Sequence, residues 1–337
     1  MSVPLIERYR DRLPVGLETP VVTLGEGGTP LLRAERLSER LGLELWLKFE
    51  GANPTGSFKD RGMTVAISKA LEEGAKAVVC ASTGNTAASA AAYAARAGLS
   101  AVVLQPAGAV ALGKLSQALA LGARLLEVRG SFDEALRAAR ELAGRGTHAL
   151  VNSLNPYRLE GQKTAAFEIV EELGRAPDLL ALPYGGGGNT RAYARGFAEA
   201  GAGEPAIVAG EAADRPSTVA SAIRIAEPAH AAEVEEVLGR PGSRAVPLAD
   251  EAILDAWRLL AREEGLFCEP ASAAGLAALA AGGVDRGALA VCVVTGHGLK
   301  DPETASRLSS PPVQVDPDPD AIAAAAQGPG SDPLEGT

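Results

Sequence analysis

The chain has few of the residues that build metal sites and covalent cross-links. Its 337 residues include three cysteines and three histidines. Cys80, Cys268 and Cys292 lie far apart in apolar segments, and no C-x-x-C pair occurs. No two histidines have the spacing of metal ligands. The sequence therefore predicts neither a disulfide framework nor a metal site.

Three further shortages exclude whole classes of protein. Aromatic residues make up 4% of the chain, so small residues such as Ala and Gly are expected to fill the core. The net charge of -10 argues against a nucleic-acid backbone as the main partner. No apolar run approaches the length of a membrane span, and residues 1–14 lack the apolar stretch of a signal peptide. We therefore expect a soluble cytoplasmic protein that binds neither nucleic acid nor membrane.

Short apolar segments alternate with helical patterns along most of the chain. Continuous apolar strands indicate sheets covered on both faces, and alternation with helices indicates parallel strands joined by right-handed crossovers. The sequence therefore predicts an α/β fold with open, mostly parallel sheets and helices on both faces. The predicted strands are residues 75–81, 100–106, 124–128, 148–153, 178–184, 205–211 and 288–296. The predicted helices are residues 85–99, 113–123, 131–144, 156–173 and 190–200.

Ligands of open α/β sheets bind in the loops that follow the carboxyl ends of the strands. One such loop carries four consecutive glycines, Gly185, Gly186, Gly187 and Gly188, followed by Asn189. A glycine-rich turn that opens a helix presents backbone N–H groups to an anion, and the helix dipole adds to the attraction. The loop has neither the Walker nor the Rossmann spacing. We interpret it as a phosphate cradle, with a plain tight turn as the alternative.

A second loop carries clustered hydroxyl groups. Ser82, Thr83, Asn85 and Thr86 follow a predicted strand and open a predicted helix. Hydroxyl and backbone N–H groups in such a cluster bind a carboxylate. A helix N-cap with additional polar side chains is the alternative interpretation.

Two other strand ends carry polar side chains of different chemistry. Asn152, Ser153 and Arg158 follow one strand, and arginine beside amide and hydroxyl donors suits a phosphate or a sulfonate. A solvated loop with an N-cap is the alternative there. Thr295 ends another buried strand, where its hydroxyl either meets a buried ring nitrogen or simply caps the strand.

Lys59 lies between Phe58 and Asp60, after a turn-rich segment and before what looks like a helix. A lysine near a phosphate cradle and a carboxylate site is placed to form a Schiff base with a phosphate-bearing aldehyde. Pyridoxal 5'-phosphate is the obvious candidate for that aldehyde. Taken alone, the segment is typical of an ordinary surface lysine.

Together these segments resemble the threonine synthases. Those enzymes belong to the fold-type II pyridoxal-phosphate-dependent enzymes, with tryptophan synthase β, the cysteine synthases and the serine/threonine dehydratases. The segment SFKDR at 57–61 is shared across that wider family, whereas NSLNPYR at 152–158 and TGHGLKD at 295–301 are closer to threonine synthases. Other similar segments are GEGGTPLL at 25–32, ASTGNTAASAAAYAARAG at 81–98 and EPASAAGLAAL at 269–279.

The resemblance implies two α/β domains with the cofactor between them. Residues 1–50 and 155–308 would form the larger, cofactor-binding domain, and residues 51–154 a smaller mobile one. Residues 309–337 are rich in Pro, Asp and Gly and are expected to be a disordered tail. The resemblance also implies a homodimer.

The resemblance implies roles for the residues around the cofactor. Lys59 is the catalytic residue and carries pyridoxal 5'-phosphate as a Schiff base, and Phe58 flanks it. Asn85 hydrogen-bonds the 3'-oxygen of the cofactor, and Thr295 faces the pyridine nitrogen as a neutral partner that favours elimination and replacement chemistry. The residues implied to hold the cofactor phosphate are Gly185, Gly186, Gly187, Gly188 and Asn189.

The resemblance further implies an amino-acid substrate that carries a phosphate. A lyase of amino-acid biosynthesis would convert O-phospho-L-homoserine and water to L-threonine and phosphate by γ-elimination and β-replacement. The residues implied to contact the amino-acid end are Ser82, Thr83, Asn85 and Thr86. Those implied to contact the leaving phosphate are Asn152, Ser153 and Arg158.

The chain departs from the threonine synthase pattern around the expected rim of the site. The usual G-N-A-G-N has become four glycines and Asn189, and the usual P-x-G-K has Ala109 in place of Lys. A segment that usually reads G-F-Q-A-x-G-A-A-P is shortened at residues 210–218, and I-R-I-G-N-P has become IRIAEP at 223–228. One alternative is therefore a related enzyme that performs β-replacement or elimination on O-phosphoserine, threonine or serine. The alternative from a different class is a non-catalytic binding homologue.

Overall fold

Helices and strands alternate along the computed structural model, which describes residues 3–108, 112–309 and 311–326. Ala109, one of the departures noted above, lies outside the described residues. In chain order the elements are α1 (Leu5–Arg8), β1 (Leu31–Arg33), α2 (Glu35–Leu41), β2 (Glu44–Phe49), α3 (Lys59–Glu72), β3 (Ala77–Ala81), α4 (Asn85–Ala97), β4 (Ser100–Pro106), α5 (Leu112–Ala120), β5 (Arg124–Val128), α6 (Phe132–Gly144), β6 (His148–Leu150), α7 (Pro156–Leu173), β7 (Leu179–Pro183), α8 (Gly188–Ala200), β8 (Ala206–Ala212), α9 (Ala231–Leu238), β9 (Arg244–Leu248), α10 (Asp250–Glu263), α11 (Ala274–Ala280), β10 (Leu289–Val294), α12 (Pro302–Leu308) and α13 (Pro319–Ala326).

The described strands form two sheets. One has six strands in the order β1-β2-β10-β7-β8-β9, and the other has four in the order β5-β4-β3-β6. Neighbouring strands are parallel in every described pair except β1 and β2, which are antiparallel. The predicted α/β class with open, mostly parallel sheets is therefore confirmed.

The predicted strands and helices are present, with differences at their ends. Strands β4 and β5 and helix α7 have the predicted bounds. The predicted strand at 148–153 is too long, because β6 ends at Leu150. After the end of β6, the Asn152 side chain hydrogen-bonds both the N–H and the carbonyl of Ala81. These two bonds replace the backbone hydrogen bonds that a longer strand would make to β3.

Several elements were not predicted from the sequence. Strand β9 lies at the edge of the larger sheet and contains Pro247, which is acceptable only where no neighbour needs its N–H. Strand β1 is only three residues long, which is too short for a recognisable pattern. Ser131 and Glu134, in contrast, form the capping box that their spacing predicts, since each side chain bonds the other's backbone N–H.

Two glycines let helices α3 and α7 touch at the backbone. A Cβ on Gly161 would overlap with the carbonyl of Arg61, and a Cβ on Gly62 would lie 2.6 Å from the carbonyl oxygen of Arg158. This crossing brings the start of α3, which carries Lys59, next to the start of α7. Two segments that lie a hundred residues apart in sequence therefore share one site.

The chain through Lys300 forms one compact unit that contains both sheets, and Asp301–Thr337 forms a second. The strands of the four-stranded sheet lie within residues 77–150, and the domain limits expected above stay a prediction. In the tail expected to be disordered, the structure describes helix α13, whereas residues 310 and 327–337 lie outside the described part. No helix of the described residues is long and apolar enough to cross a membrane.

Candidate active site

Lys59 begins α3, and the residues before it are anchored to the chain just after β10. The Phe58 N–H donates to the carbonyl of Thr295 at 3.1 Å, and Ser57 pairs with Gly296 in an isolated antiparallel bridge. The Lys59 amine lies over the Phe58 ring, with Nζ 4.1 Å from the ring centroid. The structure thus brings together Phe58, Lys59 and Thr295, three of the residues singled out from the sequence.

The surroundings of Lys59 disfavour its charged form. Burial is the largest cause, the positive charge of Arg158 is the next, and the carboxylate of Glu269 opposes both. Together they lower the pKa of Lys59 from 10.5 to about 7. A large fraction of the lysine is therefore a neutral amine near pH 7, which is the form that acts as a nucleophile or a base.

Asp60 fixes the first turn of α3 from the inside. Its buried carboxylate accepts hydrogen bonds from the Thr55 N–H, the Thr55 hydroxyl and the Ser89 hydroxyl, each at 2.6 Å. Burial raises the pKa of Asp60 to about 6 although these hydrogen bonds lower it. Because Ser89 belongs to α4, Asp60 ties the helix of Lys59 to the helix that begins at Asn85.

Arg158 is a fully buried arginine with unpaired donors. Its Nη1 donates to the carbonyl of Val151 at 3.1 Å, but Nε and Nη2 have no hydrogen-bond partner among the described residues. Burial lowers the pKa of Arg158 to about 10. Buried guanidinium groups are normally paired, because an unpaired one loses its hydration without compensation. The free donors therefore suit an anionic ligand.

The segment after β6 has a structural role that the sequence did not indicate. Asn152 is buried, and its amide bridges the backbone of Ala81, with Oδ1 2.9 Å from the N–H and Nδ2 2.8 Å from the carbonyl oxygen. Asn152 therefore holds the loop of Ser153 beside the loop that begins at Ser82. Its role in binding substrate phosphate stays a prediction.

The hydroxyl cluster lies where β3 ends and α4 begins. Ser82, Thr83, Asn85 and Thr86 are all half-buried, and the Ser82 hydroxyl accepts a hydrogen bond from the Gly84 N–H. Helix α4 begins at Asn85 without a side-chain cap, so the cluster lies at the positive end of a 13-residue helix. This position fits the predicted carboxylate site.

Glu269 and Ser272 are site residues that the sequence did not single out. The Asn85 amide donates to Glu269 at 2.9 Å, and the Ser272 hydroxyl lies 2.9 Å from the hydroxyl of Thr295. A Cβ on Gly296 would overlap with the Glu269 carboxylate, so the glycine makes room for it. Both residues lie within the segment EPASAAG at 269–275. A glutamate in such an apolar segment indicates a buried, paired charge, and this pattern could have identified Glu269 from the sequence.

The four-glycine loop joins β7 to α8. Gly187 caps α8 with φ of +84°, a conformation that favours glycine, and a Cβ on Gly185 would lie 3.1 Å from the Ile223 backbone. Just inside the helix, Asn189 Nδ2 and the Thr190 hydroxyl are buried without a hydrogen-bond partner among the described residues. Unpaired polar groups at the start of a helix support the interpretation as an anion cradle. Thr190 was missed because its hydroxyl follows the loop rather than lying in it.

The three cysteines are not joined to one another in the described structure. Cys80, Cys268 and Cys292 are buried free thiols. In the described part of the chain, no group of three or more His, Cys, Asp or Glu side chains could hold a metal ion.

Comparison with known proteins adds to this geometry. The family model described as pyridoxal-phosphate dependent enzyme matches residues 22–296. The threonine synthase of Halalkalibacterium halodurans is 50% identical over 320 residues, which cover 89% of this chain and 90% of that protein. The threonine synthase of Mycobacterium tuberculosis is 51% identical over 336 residues, which cover 93% of each chain. A threonine deaminase structure from Solanum lycopersicum has a TM-score of 0.73 at 24% identity, covering 90% of this chain and 86% of that one, which shows a shared fold.

Proposed function

We propose that this chain converts O-phospho-L-homoserine and water to L-threonine and phosphate. The chain belongs to the threonine synthases within the pyridoxal-phosphate-dependent enzyme family. The observation that carries the choice of substrate is Arg158, whose buried Nε and Nη2 lack a partner among the described residues. A phosphorylated amino acid offers a dianion to these donors. Threonine and serine offer no such group, so the site favours a phosphorylated substrate over theirs.

The residues present fit the cofactor of this family. The cradle Gly185–Asn189 and the hydroxyl of Thr190, which has no partner among the described residues, are proposed to hold its phosphate. Phe58 is proposed to flank its ring. Asn85 is held by Glu269 and is proposed to bond the 3'-oxygen, and Thr295 to face the ring nitrogen. When bound, pyridoxal phosphate supplies an electron sink for the bonds at the substrate α-carbon.

Lys59 is proposed to move the protons of the reaction. Its neutral amine takes the proton from Cα of the substrate and then transfers protons at Cβ and Cγ. Phosphate leaves from Cγ with the electron pair of the C–O bond, and water supplies the hydroxyl group at Cβ. The depressed pKa of Lys59 suits this work near neutral pH, because the amine has to accept and return protons in one turnover.

Two groups of residues are proposed to orient the substrate. Ser82, Thr83 and Thr86, with Asn85, bind the carboxylate at the start of α4, where the helix dipole attracts negative charge. Asn152, Ser153 and Arg158 bind the phosphate. The α3–α7 crossing brings Arg158 next to the helix start that carries Lys59. The homodimer expected from the resemblance is a further proposal, and the mass in solution tests it.

The pKa of Lys59 predicts how cofactor capture depends on pH. Attack on the aldehyde requires the neutral amine, whose fraction rises about tenfold per pH unit below the pKa and levels off above it. With a pKa of about 7, the rate of capture by cofactor-free protein should rise between pH 5 and 7 and level off by about pH 8. Stopped-flow absorbance of the yellow bound form measures it. A rate that still rises tenfold per unit above pH 9 would contradict the lowered pKa.

The proposed function is tested by product analysis. Purified protein loaded with cofactor is mixed with O-phospho-L-homoserine, phosphate release is assayed, and the amino acid is identified by mass spectrometry. We expect phosphate and threonine in equal amounts. Phosphate accompanied by a different amino acid would overturn the assignment of the nucleophile, and no phosphate would overturn the substrate.

Parallel reactions separate the related activities. O-phosphoserine with added nucleophiles detects β-replacement, and threonine or serine alone detects dehydration. Because Arg158 is placed for a phosphate, we expect the unphosphorylated amino acids to react more slowly than the phosphorylated one.

A further inference from the structure

His230 is a buried histidine with no part in the reaction proposed above. It is 4% exposed and immediately precedes α9. Its backbone N–H donates to the carbonyl of Gly186 at 3.2 Å, and its own carbonyl accepts from the Val234 N–H at 3.0 Å. The residue is therefore fixed from both sides, with one bond to the glycine cradle and one to α9.

The imidazole connects the cradle to the loop proposed to bind substrate phosphate. Its Nε2 lies 3.1 Å from the carbonyl oxygen of Ser153. Because a carbonyl oxygen only accepts, Nε2 carries the hydrogen and donates it. The other nitrogen, Nδ1, lies 3.7 Å from the carboxylate of Glu233, which is itself paired with Arg191.

Three consecutive residues of that loop are held by three different parts of the fold. Arg158 of α7 bonds the carbonyl of Val151, Ala81 of β3 bonds the side chain of Asn152, and His230 bonds the carbonyl of Ser153. The first two bonds join the loop to its own sheet and helix. The bond from His230 joins it to the cradle of the six-stranded sheet.

The glycines of the cradle are shaped around His230. A Cβ on Gly187 would lie 2.7 Å from Val234 Cγ2 and 3.2 Å from the Cβ of His230. A Cβ on Gly188 would lie 3.5 Å from Cδ2 of the imidazole and 3.6 Å from Nε2, which is ordinary van der Waals contact. The imidazole therefore lies beside Gly188, and Gly187 has no room for a Cβ against Val234 and His230.

We propose that His230 is a positioning residue for substrate recognition. By donating to the Ser153 carbonyl, it fixes the distance between the cofactor-phosphate cradle and the loop that receives the phosphate of the substrate. This inference rests on the proposed function, because it assigns Ser153 to the phosphate of the substrate. The imidazole of His230 bonds the Ser153 loop and not the cradle, so loss of this bond should affect substrate binding more than cofactor binding.

Two substitutions separate the hydrogen bond from the bulk of the ring. His230→Phe keeps a ring of similar size without a donor, and His230→Gln keeps an N–H donor at similar reach. Loss of one buried hydrogen bond corresponds to about 3- to 10-fold in an equilibrium constant. We therefore expect His230→Phe to raise KM for O-phospho-L-homoserine by about that factor with kcat within about twofold, and His230→Gln to restore KM.

Two measurements besides activity test the same point in the cofactor-loaded protein. Calorimetry with inorganic phosphate should show weaker binding in His230→Phe by a similar factor, and the affinity for the cofactor should stay unchanged. Backbone hydrogen exchange at residues 152–155 should be faster in His230→Phe than in His230→Gln. His148→Phe is the matched control, because His148 begins β6 at the opposite end of the strand and should change none of these quantities.

The outcomes distinguish this inference from the proposed function. Lost cofactor affinity with unchanged KM in His230→Phe would mean that the histidine serves the cradle alone, and equal defects in Phe and Gln would mean that the donor is irrelevant. Either result overturns the inference.

Failure of the wild-type protein to turn over O-phospho-L-homoserine overturns only the proposed function, since phosphate binding and hydrogen exchange still test the Ser153 contact. Should His230→Phe not fold, His230→Met replaces it, because methionine fills irregular space without a donor.

Discussion

Replacing Lys59 with alanine is expected to lower kcat by about 1000-fold or more, with little change in the fold. Proton transfer by a positioned base alone contributes about 100- to 10,000-fold, and loss of the covalent attachment of the cofactor adds to that. The amine lies over the Phe58 ring, and its pKa is lowered to about 7, so the folded protein does not favour its charged form. Removing a half-buried amine that is disfavoured as a cation should not destabilise the protein.

The measurement is phosphate release by Lys59→Ala compared with the unaltered protein, together with the yellow absorbance of the bound cofactor. Lys76→Ala is the matched control, because Lys76 is exposed just before β3 and should keep full activity. Added methylamine should restore part of the rate to Lys59→Ala, since a free amine can replace the missing base. More than a tenth of the normal rate without added amine would contradict the assignment.

A second half-buried lysine, Lys300, makes this test informative. Burial also lowers the pKa of Lys300, which lies near the same strand end. Its amine, however, donates to the Thr55 carbonyl at 3.1 Å and to Gln117 at 2.6 Å, so it is engaged in tying loops together. Residual activity in Lys59→Ala would point to Lys300 as the base, and its loss in the double variant would establish that.

The sequence predicted where the site lies better than it predicted how the site is held. The strands are continuous apolar segments, and the rule that ligands bind beyond their carboxyl ends led to the loops at Ser82, Asn152, Gly185 and Thr295. The rule works because parallel strands place the loops that follow them along one edge of their sheet. Ser82 and Asn152 follow strands of the four-stranded sheet, and Gly185 and Thr295 follow strands of the six-stranded sheet. It needs only local patterns, which a single sequence contains.

The contacts between those loops depend on pairs that are distant in sequence. Nothing in the residues around Asn152 indicates that its amide bonds Ala81, or that Asn85 meets Glu269 across 184 positions. The same holds for Gly161, whose missing Cβ lets two helices touch. A buried polar residue must find a partner, but the sequence does not say which one. Two of the residues missed, Glu269 and Ser272, hold another site residue, Asn85 and Thr295 respectively.

Two fully buried arginines near the α3–α7 crossing differ in how completely their N–H donors are paired. Arg61 has a complete set of partners, since its guanidinium bonds the carboxylates of Glu50 and Glu168 at 2.6 to 2.8 Å and the hydroxyl of Thr29 at 3.0 Å. Although burial disfavours the charged form of Glu168, Arg61 lowers the pKa of that carboxyl to about 2. Arg158, in contrast, keeps Nε and Nη2 unpaired among the described residues.

The two arginines should therefore respond to the same substitution in opposite ways. Arg61→Met leaves two buried carboxylates with only part of their positive partners and should lower the free energy of unfolding by about 3–5 kcal/mol. Arg158→Met removes Nε and Nη2, which have no partner in the described part of the chain, and loses one bond to Val151. It should raise the free energy of unfolding by about 1 kcal/mol. Urea unfolding of the cofactor-free variants measures both.

Arg158→Met should lower the catalytic activity even though it raises the free energy of unfolding. Loss of a buried charge that bonds the substrate phosphate costs about 2–5 kcal/mol of binding, so kcat/KM for O-phospho-L-homoserine should fall by about 30- to 4000-fold in Arg158→Met. A variant that is more stable and less active shows that the unpaired donors are kept for a ligand rather than for the fold. If Arg158→Met instead unfolds as readily as Arg61→Met, its guanidinium has a structural role in the free protein, and the argument for a phosphorylated substrate loses its main support.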